Sequence, residues 1–222
     1  DYTELLLDEG FGYLDRTTAA DALAVLVEDP PREFAPGEGW SYSNSNYFLL
    51  AEVIERATGV SLPDHLATEV FEPLGLAMVM DPLPPDGPGA ARSYERAAGS
   101  WRMADSAWEQ VGDGAVRTTP AELVRWGDSW STAPFGDEVL DAQLDAVPTG
   151  EGTGYGAGIE RYDDGDGLRL FHTGGWSGFS TDFEVDPSAR VAVAVTCNRP
   201  DLPGPGTGAD DLLDLWLPAL AG

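Results

Sequence analysis

Over roughly the first 130 residues, apolar side chains recur at helical spacing. In "AADALAVLVE", Leu23, Leu26 and Val27 share a face, Thr18 stands at the capping position, and Pro30-Pro31 stops the helix. Tyr47, Leu50, Ala51, Ile54 and Ala57 make a second stripe at i, i+3, i+4, i+7, which predicts a helix ending at Gly59. Glu52 and Arg56 are spaced to pair on its outer side. Ser61 opens a third helix through "LPDHLATEVFEPLGL", and Thr119-Pro120-Ala121-Glu122 reads as a capping box with proline at the first helical position. Between these, residues 81–115 hold Pro, Gly and scattered aromatics without a period, which predicts an irregular excursion over the surface.

Beyond about residue 150 the period changes from helical to alternating. "YGAGIERY" and "LRLFHTG" flank the Asp-Gly turn "DDGDG", which predicts a hairpin. "FSTDFEVD" alternates, Pro187-Ser188 turns, and "RVAVAVTC" follows as a buried strand. A Pro/Gly linker at 200–208 leads to a closing helix, "ADDLLDLWLPAL". Hairpin-linked strands after a run of helices predict an α+β fold, an antiparallel sheet with a segregated helical region. The acidic turn is not a calcium loop: with Gly167 at loop position 6, Tyr162 falls at position 1 and Thr173 at position 12, neither with the required carboxylate.

Charge narrows the partners. The 222 residues carry 39 acids against 12 bases, a net charge of −27, and every base is an arginine. The chain contains no lysine. Such a field repels phosphate backbones and anionic membranes, so nucleic acid is a poor partner and none is expected. The longest apolar run, Val191 to Val195, is too short for a membrane span. The single cysteine, Cys197, forms no intrachain disulfide and reads as buried filler at the end of a β-branched run. Of two histidines, His65 lies in an amphipathic helix and reads as a packing or surface residue. They share no metal-ligand spacing, so neither a metal nor another cofactor is expected.

His172 has a different setting. It ends a strand and runs into "HTGGWSGF", whose glycines let a ligand or another backbone approach the strand and expose its N–H groups. Strand N–H groups aimed at a reacting carbonyl are what an oxyanion hole needs. The alternative reading is a glycine-rich bend beside a buried histidine. "GWSGF" is not a nucleophile elbow, because that motif needs glycine where Phe179 stands.

Tyr42-Ser43-Asn44 ahead of a core helix, with His172-Thr173-Gly174 about 130 residues later on a strand, resembles the serine β-lactamase and penicillin-binding-protein superfamily. Class C β-lactamases, DD-peptidases and related esterases carry Tyr-x-Asn and then Lys/His-Thr-Gly. "PGEGWSYSNSNYFLLAEVIERATG", "GDGAVRTTPAELVRWG", "YGAGI" and "HTGGWSGFSTDFEVDP" look like further family segments in family order. The resemblance implies a β-lactamase/transpeptidase-like fold and a serine hydrolase that works through an acyl-serine on a lactam, peptide, amide or ester. It implies one catalytic unit, with residues 1–150 carrying the tyrosine motif and 151–222 the histidine motif across a shared cleft. Tyr42 would relay the serine's proton, Asn44 would hold the substrate amide, and His172 would set the electrostatics near Tyr42. Thr173 would bind a substrate carboxylate, Gly174 and Gly175 would line the strand edge with Gly175 giving one oxyanion N–H, and Trp176 would line the cleft. Arg161 and Arg169 are further candidates for meeting a carboxylate, though neither matches a motif.

One departure matters as much as the match. The family nucleophile lies in Ser-x-x-Lys, and a chain without lysine cannot contain it. The expectation is therefore that the N-terminal part of the unit is missing, the serine being supplied by an upstream segment or another chain, and that these residues alone form no acyl-enzyme. The partners expected are that segment and a small-molecule or peptide substrate. The rival reading is a non-catalytic ligand-binding pseudoenzyme domain.

Overall fold

The first helix owes its start to Asp1, whose carboxylate accepts from the N–H of Thr3 at 3.0 Å. A computed structural model of the chain describes residues 1–28, 32–84, 89–163, 167–200 and 212. It divides into two units, Asp1–Arg117 and Thr118–Gly222.

In the first unit, α1 (Tyr2–Asp8), α2 (Ala19–Glu28) and α3 (Asn44–Thr58) enclose a core of Tyr2, Leu6, Ala22, Phe48 and Trp108. Thr18 closes the start of α2 as expected, its N–H and hydroxyl both donating to Asp21 at 2.7 Å. Val27, placed on the inner face from spacing alone, is 81% exposed, while Leu23, Val25 and Leu26 pack inward. The stripe on α3 is likewise rotated by about one residue. Ser45, Phe48 and Ala51 are buried and Leu50 is 53% exposed. The reason is tertiary: Phe48 packs into the core beside Tyr2, ring centroids 5.2 Å apart, and that contact sets the inner face. Gly59 ends α3 in the left-handed conformation, and Arg56 pairs with Glu52 at 3.4 Å, both as expected.

Next come α4 (Leu62–Leu66), capped by Ser61, a π-helical turn at Ala67–Phe71, and α5 (Glu72–Leu74). The described residues of 81–115 are more ordered than their composition predicts. β1 (Val79–Met80) pairs with β4 (Val116–Arg117), and within the excursion β2 (Tyr94–Ala97) and β3 (Ser100–Met103) form a hairpin. Its two-residue turn, Ala98-Gly99, has positive φ at both positions. Such turns usually announce themselves as Asn-Gly or Asp-Gly, so alanine conceals this one.

The second unit places α6 (Pro120–Gly127), α7 (Ser129–Thr132) and α8 (Asp137–Leu144) before an antiparallel meander. Thr119 caps α6, accepting from Glu122 N–H at 3.3 Å. The strands are β5 (Val147–Gly150), β6 (Thr153–Tyr155), β7 (Glu160–Asp163), β8 (Leu168–Trp176), β9 (Phe179–Asp186) and β10 (Val191–Cys197). They lie side by side in chain order in one six-stranded sheet. Trp130, Ile159, Leu170, Phe183 and Val185 form the core against α6 and α7. Gly127 permits that packing, since a Cβ there would sit 2.9 Å from the Ala192 Cβ. All but residue 212 of the expected closing helix, most of the 200–208 linker, Pro30-Pro31 and the centre of the Asp-Gly turn lie outside the described residues. Among the described residues no helix is long and apolar enough to cross a membrane.

Candidate active site

The sequence candidates fall into two sets, one in each unit. In the first unit, Tyr42 lies on an extended segment before α3 and is 47% exposed. Ser43 is the N-cap residue, extended at φ −151° and ψ 118°, yet its hydroxyl makes no capping bond. Asn44 opens the helix, half-buried. Its N–H donates to Asp1 Oδ2 at 2.6 Å, and the N–H of Ser45 donates to the same oxygen at 3.3 Å. The backbone on which both motif side chains stand is thus tied to the start of α1.

In the second unit, His172 to Trp176 occupy the C-terminal half of β8. The ladder with β7 ends at Phe171, whereas the ladder with β9 runs on from His172↔Phe183 to Trp176↔Phe179. The strand therefore projects past β7 and is held from the β9 side. Thr173, Gly174, Gly175 and Trp176 are exposed. Neither glycine is demanded by backbone conformation or crowding: a Cβ on Gly175 would meet nothing within 4 Å, and one on Gly174 would make only ordinary contact with Thr181. That free space beside strand N–H groups leaves room for a ligand. Ser177 and Gly178, both at positive φ, form the two-residue turn into β9, so "GWSGF" is a hairpin tip.

Polar neighbours on both sides fix the His172 ring. Nδ1 lies 2.6 Å from the Thr173 carbonyl oxygen and Nε2 lies 3.0 Å from the Tyr155 hydroxyl. A carbonyl only accepts, so Nδ1 carries the proton, and in the neutral ring Nε2 accepts from Tyr155. The two rings also meet edge to face, with centroids 5.9 Å apart. Motif reading did not single out Tyr155 as a partner of His172, although it lies in the "YGAGI" segment. Its only sequence signal was an aromatic opening a family segment.

Both extra arginines have partners within the second unit. Arg169 pairs with Glu184 at 3.0 Å, and Arg161 donates to the Leu144 carbonyl at 3.2 Å. An open depression of about 540 Å³ lined by Asp141, Leu144, Asp145 and Arg161 contains none of the motif residues. Among the described residues no group of three or more His, Cys, Asp or Glu is placed to hold a metal ion.

An antiparallel sheet preceded by helices, with Tyr-Ser-Asn at a helix start and His-Thr-Gly on a projecting strand, defines a protein of the β-lactamase/transpeptidase fold. The penicillin binding protein from Bacillus halodurans has this architecture, with a TM-score of 0.83 and 19% identity over 99% of this chain and 68% of that one. The Beta-lactamase family model matches residues 6–215, and the chain belongs to that family. It is 28% identical to penicillin-binding protein 4* of Bacillus subtilis over 67% of this chain and 37% of that protein. It is 26% identical to a D-aminopeptidase of Cereibacter sphaeroides over 90% of this chain and 40% of that protein. The chain thus spans about two fifths of the length of these two relatives. The family type is the serine hydrolase of β-lactamase and DD-peptidase kind.

Proposed function

We propose that these residues supply the tyrosine and histidine arms of a serine hydrolase acting on amides or peptides of D-amino acids. Its nucleophilic serine and partner lysine lie outside the 222 residues. The observation that carries the reading is the ordered motif set inside one family match: Tyr42 and Asn44, then His172, Thr173 and the two glycines. The regions 1–150 and 151–222 then contribute to one catalytic unit. The similarity to a D-aminopeptidase supports the substrate class.

In this mechanism the serine oxygen adds to the substrate carbonyl carbon, and its proton passes by way of Tyr42 to the leaving nitrogen. The C–N bond breaks, the amine departs and an acyl-serine remains, which water cleaves to the free acid. Asn44 holds the substrate amide and Thr173 its carboxylate. The Gly175 N–H stabilises the oxyanion and Trp176 covers the acyl group. His172, its ring fixed by Tyr155 and the Thr173 carbonyl, orients the electrostatics at Tyr42.

Intact-mass analysis after incubation with a β-lactam and a fluorophosphonate tests this. The chain alone is expected to give no adduct, because it has no lysine to complete Ser-x-x-Lys. A polypeptide extended upstream is expected to give one on a serine outside these residues, reduced by Tyr42→Phe, and to hydrolyse D-phenylalanine amide. A stoichiometric, saturable adduct on Ser43, Ser177 or another serine of the chain alone would overturn the assignment. The absent lysine also favours a second reading, a ligand-binding pseudoenzyme. A coding sequence with no Ser-x-x-Lys upstream of Asp1 would favour it over the enzyme.

A further inference from the structure

The start of α3 raises a question of acceptors. The first N–H groups of a helix have no partner within it, and a residue such as Ser43 ordinarily supplies one. Here Ser43 supplies none. The acceptor comes from Asp1, 43 positions earlier, whose two carboxylate oxygens are divided between two helices. Oδ1 accepts from Thr3 N–H at 3.0 Å and Thr3 Oγ1 at 2.8 Å, at the start of α1. Oδ2 accepts from Asn44 N–H at 2.6 Å and Ser45 N–H at 3.3 Å, at the start of α3. The tie is reciprocal, because the buried Ser45 Oγ accepts from Tyr2 N–H at 2.7 Å. A negative charge between two helix N-termini also opposes the positive end of both macrodipoles.

We propose that Asp1 is a positioning residue for the Tyr42–Asn44 arm of the site: its carboxylate fixes the start of α3 to that of α1, and so sets where the Tyr42 and Asn44 side chains depart from the backbone. The proposal rests on the reading of those two residues as substrate-handling groups. It has a corollary for recognition. The Asn44 and Ser45 N–H groups are already occupied by Asp1, so neither is open to a substrate anion. Contact at this arm falls to side chains.

The isostere Asp1→Asn is the discriminating variant. An amide has one acceptor oxygen, so it can serve one helix start while its NH₂ group faces the N–H donors of the other. A role in packing alone would leave Asp1→Asn unchanged. Two measurements test the proposal: residue-resolved amide exchange in the 222-residue chain, and kcat and KM for D-phenylalanine amide in the upstream-extended polypeptide, well below its Tm. Asp1→Asn and Asp1→Ala are expected to speed exchange at Asn44 or Ser45 by about tenfold or more. Displacement of the arm is expected to lower kcat/KM by a similar factor, mostly in kcat. Thr3→Val removes only the hydroxyl bond on the α1 side, and is expected to lower stability while leaving Asn44 exchange and kcat unchanged. Wild-type exchange and kcat in Asp1→Asn, or the same kinetic loss in Thr3→Val, would overturn the proposal. Faster Asn44 exchange in a polypeptide whose wild type hydrolyses nothing overturns the catalytic reading instead, and leaves the helix tie standing.

Discussion

In the first unit the bonds that close the core join residues far apart in the chain. Tyr2 donates to Asp113 across 111 positions, Trp108 to the Gly12 carbonyl across 96, and Gln110 to the Thr18 carbonyl across 92. In the second unit each ladder joins strands that are neighbours in the chain, and Leu170↔Val185 in the core spans a single hairpin. One unit depends on a few part-buried side-chain bonds between distant segments, each leaving a partner without its bond if lost. The other depends on a repetitive main-chain ladder in which no single side chain is indispensable. The two should therefore fail differently.

The largest expected effect is at Trp108, 2% exposed and packed on Tyr2 and Tyr13. Trp108→Ala is expected to cost about 3–5 kcal/mol. Mapped by amide exchange, the loss should fall on α1 to α3 and spare the β8–β9 ladder; an equal loss in both units would break the comparison. Next is a pair of glycines in the second unit. Gly127→Ala forces a Cβ to 2.9 Å from the Ala192 Cβ and 3.2 Å from Val185 Cγ2, and is expected to cost about 1–3 kcal/mol in urea denaturation. Gly175→Ala enters open space and should shift stability by no more than about 0.5 kcal/mol, while lowering acylation in the extended polypeptide.

Tyr2→Phe sharpens the contrast from the side of the first unit. It removes the 2.8 Å bond to Asp113 and leaves a half-buried carboxylate without that donor, at a cost of about 1 kcal/mol. Asp113→Asn keeps an acceptor for Tyr2 and removes a half-buried charge, so it should be close to neutral at pH 7. A larger loss in Asp113→Asn than in Tyr2→Phe would show that the charge itself is needed.

The smallest effect is the response to acid. At Asp105, burial raises the carboxyl, but bonds from Arg92 and Ser93 outweigh it and hold the group below its usual range. Asp186 is held down in the same way, burial being outweighed by bonds from Ser188 and Ala189. Each adds stability that is present above the ordinary carboxyl range and lost as pH falls through its depressed value. Asp113 has the opposite sign: burial raises it, so its contribution favours the folded state in acid and fades as pH rises through its raised value. In the first unit the two signs partly cancel. Asp113→Asn should therefore steepen the acid loss of stability there, as read by urea titrations between pH 3 and 6. An unchanged slope would remove Asp113 from the balance.

The same contrast explains what could be read in advance. The hairpins of β7 to β10 were legible because each partner is the next segment of chain, and period-two alternation marks the inner face. The tyrosine and histidine motifs were legible because they are contiguous triplets. Tyr155 was not, because its link to His172 passes over the start of β7: Tyr155 faces Glu160, and Glu160 faces Phe171 on β8. The inner face of α3 was off by about a residue because the packing of Phe48 against Tyr2, from a distant segment, decided it.

By itself, then, the sequence determined helix caps, alternating strands, the α+β plan, the motif residues and the absence of Ser-x-x-Lys, all of which depend on residue type and short spacing. Tertiary structure alone decided that Asp1 caps a helix 43 positions away, that Tyr155 fixes the His172 ring, and that Tyr2 meets Asp113. Such bonds leave no local pattern, because a carboxylate or hydroxyl can meet any donor, and only the packing of distant segments selects which one comes within 3 Å.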